Sequence, residues 1–307
     1  MPEPIASVSV VIPTIGRARL AEVVAATLAD PTATEVVVVA DRDPDRVDAV
    51  LAGAGLVDDP RVVVVAGPGR GPAAARQTGI DRARGDVVLL LDDDVVPGPG
   101  LVAAHRDAHA ADARLIVVGP MPVAPELRTA SAIAHVYAND YDAEWAGLLA
   151  DPAAVVRDLW GGNVSIRRAD GLAVPQVGAL GDLRNREDQE WGLRAARAGM
   201  TGAVAPRAGA VHWHEGHVAG LLDAAADQVR TGRLLDERYP ELGADGDPGA
   251  GLPRPARVVV DLTGVRVIGS LVRRVVVGLA RRAGDGPPAR WRVALVVVAR
   301  AMVQRAT

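Results

Sequence analysis

Val87-Val88-Leu89-Leu90-Leu91-Asp92-Asp93-Asp94 joins five apolar residues directly to three acids. A short apolar run without polar alternation suits a strand buried on both faces, as in a parallel sheet covered by helices. Three runs of the same kind come earlier, Ser7–Ile12, Glu35–Ala40 and Arg61–Ala66, and Asp86–Leu91 is the fourth. The stretches between them are long enough for crossover helices, which predicts an α/β fold assembled from βαβ units. Ligands of such sheets lie beyond the carboxyl ends of the strands. Chemistry is therefore expected at Pro13-Thr14, Asp41, Gly67-Pro68-Gly69 and Asp92-Asp93-Asp94, which follow the four runs.

Three adjacent carboxylates repel one another unless a cation or a donor neutralises them. A hard divalent metal accepts carboxylate oxygens and can bridge them to a diphosphate. A solvated acidic turn is the simpler alternative, and the position directly behind a buried run argues against it.

Composition narrows the chemistry further. With 307 residues, 49% of them hydrophobic, the chain can bury one large α/β core and still carry an extension. It has no Cys and no Lys, which excludes thiolate nucleophiles, disulfides, cysteine-ligated metals and Schiff-base chemistry. Phosphate recognition then falls to Arg, backbone N–H groups or a metal. No basic and apolar leader precedes the first run, and arginines interrupt every long apolar stretch, so neither a signal peptide nor a membrane span is expected.

Beyond the fourth run, the pattern predicts a helix over Pro99–Ala111, a strand over Leu115–Val118 and a helix-prone insertion over Pro125–Trp160 that holds Tyr137, Tyr141, Trp145 and Trp160. Such rings either stack on sugars or anchor packing. A short strand over Val164–Ile166 and a helix from Glu187 to Ala198 follow, with His212 behind a further strand. Leu242–Pro255, rich in Gly, Pro and Asp, reads as a linker. His105 and His109 stand four apart, but Arg106 occupies the place where a metalloprotease helix needs Glu, so both are expected at the surface.

The ordered set Pro13-Thr14-x-x-Arg17, Asp41, Arg76-x-x-Gly79, Asp92-Asp93-Asp94, Gly161-Gly162-Asn163, Glu187-Asp188-x-Glu190-Trp191 with Arg194, and His212 resembles the family 2 glycosyltransferases of GT-A fold over roughly residues 7 to 217. The resemblance implies a Rossmann-like, mostly parallel sheet flanked by helices, with a nucleotide-sugar half at 1–97 and an acceptor half at 98–240. A linker at 241–255 and a helical, basic extension at 256–307 complete the expected organisation. It also implies an inverting, hexosyl-type transfer from a UDP-, GDP- or dTDP-sugar to a saccharide, lipid-linked or small-molecule hydroxyl, assisted by Mn²⁺ or Mg²⁺, in the cytoplasm. No nucleic-acid partner is expected.

Position by position, the resemblance assigns Pro13, Thr14, Arg17, Asp41, Arg76, Asp92 and Asp93 to the nucleotide. Asp94 and His212 go to the metal, with His214 second to His212. Asp188 becomes the general base with Glu187 beside it, and Gly162, Asn163 and Trp191 meet the sugars, although Trp191 is equally placed for a core role. Gly16, Gln77 and Arg42-Asp43 depart from the usual pattern and leave the base open. A dinucleotide oxidoreductase would need Gly-x-Gly-x-x-Gly after the first strand, and a nucleotidyltransferase a Gly-rich loop with Lys; neither is present. A non-catalytic sugar-nucleotide binder, against which Asp188 argues, and a nucleotidyltransferase of the same fold are the alternatives.

From Arg254 to Thr307 there are 11 Arg against 2 Asp, a net +9 in a chain of net −4, so the rest carries −13. Arg266, Arg273, Arg274 and Arg281 recur at helical spacing beside Val and Leu. Such a surface suits an anionic membrane face, which would make the enzyme peripheral at the inner membrane. Docking on the acidic body or on a second copy in a homodimer is the alternative.

Overall fold

A computed structural model describes residues 5–240 except 179, 182 and 184, together with 256, 260 and 268–307. It divides into two compact units, Met1–Pro122 with Glu144–Trp213, and Val123–Ala143 with His214–Thr307. The expected acceptor half thus contributes to both. The expected linker at 241–255 lies outside the described residues, as does Arg266.

The first unit is built on a seven-stranded sheet. The four apolar runs form β1 (Val8–Thr14), β2 (Ala33–Ala40), β3 (Val62–Ala66) and β4 (Val87–Leu91), all parallel. A short β5 (Val95–Pro97) follows the three acids, and then come β6 (Leu115–Val118), β7 (Asn163–Arg167), β8 (Thr201–Val204) and β9 (Ala210–His212). The strand order is β3-β2-β1-β4-β7-β6-β8. β7 runs antiparallel to both β4 and β6. Every residue of β1 and β4 is buried, as the runs predict, but β3 is only half-buried because it is the edge strand.

Between the strands lie α1 (Leu20–Leu28), α2 (Pro44–Gly53), α3 (Pro72–Arg82) and α4 (Leu101–Ala111). Asp43 caps α2 by accepting the Arg46 N–H at 3.1 Å, with Pro44 pre-set for the first turn. After α5 (Pro125–Ala130), α6 (Ala132–Ala150) and a 3₁₀ turn at Pro152–Val156, the chain enters β7 and then forms α7 (Arg168–Ala173) and α8 (Glu187–Arg197).

One face of the sheet packs Val11, Val37, Val88, Leu90, Val164 and Ile166 against Ala75 and Ile80 of α3 and Trp191 of α8. A Cβ on Gly79 would come within 2.1 Å of Val11 Cγ1, so α3 lies on β1 only because position 79 has no side chain. On the other face, the alternation of β7 turns Asn163 and Ser165 toward α4. His105 contacts Ser165 Oγ through Nδ1 at 2.7 Å and Asn163 Oδ1 through Nε2 at 2.9 Å, and His109 Nε2 reaches Ser165 Oγ at 2.9 Å. This corrects the expectation of surface histidines: both have 0% exposure. Their four-residue spacing places them on the sheet-facing side of α4, where hydroxyl and amide partners make burial affordable.

The second unit is helical. α9 (Val218–Arg238), α10 (Ile268–Ala283) and α11 (Arg290–Ala306) surround a core of Ile133, Val136, Val218, Leu222, Ala280, Val296 and Ala299. Asp285 Oδ1 accepts the Val218 N–H at 2.8 Å at the start of α9, and Arg300 pairs with Asp140. Ile133 and Val136 come from the expected insertion and pack with the two C-terminal helices.

Burial lowers His105 to a pKa of about 4 and His109 to about 3. The unfolded chain takes up these protons near the ordinary value of about 6.5, so it holds more of them than the folded chain as pH falls below that value. Stability therefore declines from pH 6.5 toward pH 4, by up to ~1.4 kcal/mol per pH unit for each imidazole. Urea unfolding at pH 6.5, 5.5 and 4.5 should show a shallower pH slope in His109→Gln than in the parent; equal slopes would contradict the burial.

Candidate active site

A cavity of about 480 Å³ opens at the carboxyl ends of β1, β2 and β4. Its walls come from the end of β1 (Pro13, Thr14) with Ile15 and Arg17, from Asp41 and Arg42 behind β2, from the first turn of α3, from Asp92 and Asp93, and from Glu187 and Asp188 at the start of α8. The structure thus brings together most of the residues assigned to nucleotide and base.

Arg76 is the hinge of this arrangement. Projecting from α3 and only 3% exposed, it donates from Nη2 to Asp92 Oδ1 at 2.8 Å and from Nη1 to Asp188 Oδ1 at 2.7 Å, with Glu187 Oε1 at 3.8 Å. Burial alone would lower its pKa, but the charges of Asp188, Asp92 and Glu187 hold it above the ordinary value. Asp188 also accepts the Gly161 N–H at 2.8 Å through its other oxygen. A Cβ on Gly161 would meet Asp188 Oδ1 at 2.6 Å and the Arg76 guanidinium carbon at 2.7 Å, so any side chain there would displace the Arg76–Asp188 pair. Burial raises the Asp188 carboxyl above the usual carboxylate range, against the pull of Arg76. Glu187 is pushed up to about 7 by burial and then by the neighbouring Asp188 charge.

The three acids behind β4 have separate surroundings. Asp92 faces the cavity and Arg76. Asp93 is buried, accepting from Thr14 Oγ1 at 2.5 Å and Arg17 Nη1 at 2.7 Å; burial raises its pKa while these donors oppose the rise. Asp94 accepts from the same Arg17 nitrogen at 2.7 Å, and its other oxygen lies 3.5 Å from His212 Nε2. The antiparallel pairing of β5 with β9, which sets Val95 opposite His212, creates that approach. A carboxylate beside an imidazole is a donor set that Mn²⁺ or Mg²⁺ accepts. Among the described residues there is no cluster of three or more metal-ligating side chains, so the remaining positions would fall to phosphate oxygens and water, the usual arrangement for such cations. The residues present therefore fit the cation.

Asp41 accepts the Gly69 and Gly71 N–H groups, each at 3.0 Å, and so pins the loop ahead of α3 to the cavity wall. Two sugar assignments need correcting. Asn163 is fully buried, holding His105 and donating to Ala208 O at 2.9 Å. Trp191 is also fully buried and donates to Val174 O at 2.8 Å, so its alternative role in the core is the one realised. Both positions belong to motifs that border the site, and the pleat and the helix turn them inward. Gly162 is buried beside Asp92 and outside the cavity lining, its carbonyl accepting the Asp92 N–H at 3.2 Å. His214 lies in the second unit, its ring stacked on Tyr137 at 4.1 Å. The residue reading missed Gly161 as a donor to Asp188, although the glycine pair ahead of an apolar run signalled a close backbone approach. It also missed Ile15, Arg42 and the Gly71-Pro72 start of α3 as cavity walls.

Residues 9–147 match the family described as Glycosyl transferase family 2. Among solved structures, the mannosyltransferase PcManGT from Pyrobaculum calidifontis, in complex with GDP-Man and Mn²⁺, aligns over 100% of this chain and 90% of its own, with 19% identity and a TM-score of 0.59. A mycobacterial protein aligns over 79% of this chain and 76% of its own, with 18% identity and a TM-score of 0.52. At such identities the likeness shows the fold, which is GT-A: a mostly parallel seven-stranded sheet flanked by helices, followed by C-terminal helices. No curated protein matches the chain.

Replacing Arg76 by Met leaves Asp92, Glu187 and Asp188 without their shared cation. Breaking a buried pair from one side costs about 3 kcal/mol or more, so the urea midpoint of Arg76→Met should fall accordingly. An unchanged midpoint would remove Arg76 from its structural role.

Proposed function

With residues 9–147 matching the family described as Glycosyl transferase family 2, we propose that the chain moves a hexosyl group from a nucleoside-diphosphate sugar to an acceptor hydroxyl, with inversion and with Asp188 as general base. The observation that carries this reading is one cavity lined by the β1 and β2 ends on one side and by Asp92, Glu187 and Asp188 on the other. The first group offers backbone and arginine contacts for a nucleotide, and the second places carboxylates where a reacting hydroxyl would arrive. A protein of the same fold takes GDP-Man and Mn²⁺, so ligands of these classes are compatible with this architecture.

The chain's own groups divide the work. Asp188, held by Arg76 and the Gly161 N–H, accepts the hydroxyl proton as the acceptor oxygen bonds to the anomeric carbon and the bond to the diphosphate oxygen breaks. Its raised pKa makes it a stronger base than an exposed carboxylate. Arg17 supplies positive charge beside the leaving group, in a chain with no lysine to do so. A divalent cation at Asp94 and His212 would stabilise the departing diphosphate charge.

Asp188→Asn should keep donor- and Mn²⁺-dependent thermal stabilisation while turnover falls by a factor on the order of 10² to 10⁴. Asp94→Ala should lose the metal-dependent stabilisation. Because the base must be deprotonated, and burial raises the Asp188 carboxyl, kcat/KM should rise with pH through a range above that of an exposed carboxylate and then level off. Normal turnover by Asp188→Asn across a panel of UDP-, GDP- and dTDP-sugars would overturn the assignment of the base.

The second unit supports a further part of this reading, a peripheral position on an anionic membrane with a lipid-linked acceptor. α10 and α11 carry four arginines each and no acid. Leu271, Val275 and Leu279, four apart on α10, are 64%, 52% and 50% exposed. An apolar stripe edged by arginines suits the headgroup region of such a membrane. Sedimentation with vesicles containing anionic lipid should recover the full chain, and Leu271→Asp with Val275→Asp should reduce that recovery severalfold. Equal recovery, or recovery only as a dimer without lipid, would favour a second copy as the partner.

A further inference from the structure

Arg17 sits where the first strand hands the chain to its loop, and that loop is constructed rather than loose. Gly16, at φ 79°, donates its N–H to Thr14 Oγ1 at 2.9 Å and gives its carbonyl to Arg46 Nε at 2.7 Å. A single Arg17 nitrogen then touches Asp93 Oδ1 and Asp94 Oδ2, both at 2.7 Å. The charges of Asp93 and Asp94 hold the Arg17 pKa up although burial would lower it. The two acids differ in what else they touch. Asp93 has its second oxygen on Thr14, within the protein, whereas the second oxygen of Asp94 faces His212 at 3.5 Å. The Arg17 side chain is itself 51% exposed and lines the cavity, so it can leave Asp94 without unpacking a core.

We infer that Arg17 is a built-in counter-ion that competes with the divalent cation for Asp94 and passes to the donor diphosphate when the cation arrives. This inference rests on the reading that Asp94 and His212 hold that cation. Consecutive carboxylates need a positive neighbour whether or not a metal is present, and Arg17 is the group that contacts both Asp93 and Asp94. A cation on Asp94 would leave the guanidinium beside one acid instead of two, and a diphosphate in the same cavity offers it a replacement anion suited to its fork of N–H donors. Metal and nucleotide would then bind with positive coupling, because each removes part of the cost of the other.

Mn²⁺ binding followed by electron paramagnetic resonance, which reports free metal directly, tests this without any turnover. In the absence of nucleotide, Arg17→Ala should bind Mn²⁺ about fivefold more tightly than the parent, the factor expected when roughly one ion pair no longer competes. Arg17→Gln, which keeps most of the side-chain length, should shift in the same direction, and Arg17→Lys should stay near the parent. With UDP or GDP present, the gain in Mn²⁺ affinity caused by the nucleotide should shrink in Arg17→Ala. Unchanged or weaker Mn²⁺ binding by Arg17→Ala and Arg17→Gln would overturn the inference and make Arg17 a group that merely orients Asp94. Asp94→Ala separates the two layers: if it binds Mn²⁺ as the parent does, the cation assignment itself fails.

Discussion

The buried guanidinium of Arg76 is the constraint around which the site is organised. It belongs to α3, yet its partners belong to the end of β4 and the start of α8, segments about a hundred residues apart in sequence. Without it, three carboxylates would face one another in a poorly hydrated cleft. With it, each has an opposite charge nearby, and the cluster keeps a net negative charge. That residual charge suits the proposed chemistry, since burial raises the proton affinity of Asp188 and Glu187 while the unbalanced charge leaves the cavity dependent on further cations. Arg17 and a divalent metal would both answer that need from the opposite wall.

The fold delivers these groups by a reversal in the sheet. Four parallel strands bring their carboxyl ends to one rim, and β7, running the other way, brings its amino end there. Gly161 and Gly162 therefore arrive beside Asp92 and Asp188, and backbone N–H and carbonyl groups support the acids directly. The polar contacts behind β7, from His109 through Ser165 and His105 to Asn163, lock the strand in register under α4. A functional rim is thus tied to a buried network on the reverse face.

Much of this could be read from the residues. Valine runs such as Val36-Val37-Val38-Val39 admit few arrangements other than covered parallel strands, and the acids behind β4 announced the ligand edge. What could not be read was direction. Asn163 and Trp191 lie within motifs that border the cavity, and only the pleat of β7 and the turn of α8 decide that their side chains point away from it. The histidines of α4 show the same limit, since spacing reveals a shared helix face but not whether that face meets water or a sheet. The glycine at 161 carried a readable signal of crowding, whereas its partners, Arg76 and Asp188, became identifiable only once distant segments were in place.

The composition of the second unit's core has a consequence for how this protein can be divided. Ile133 and Val136 precede the last sheet strands in sequence, yet they share a core with Ala280, Val296 and Ala299 near the C-terminus. A chain ending before α10 would leave those two side chains, along with Val218 and Leu222, open to water. The C-terminal helices are therefore no detachable appendage. Shortened versions intended as minimal catalytic fragments would trade a basic surface for a sticky apolar one, and their failures would reveal little about transfer itself.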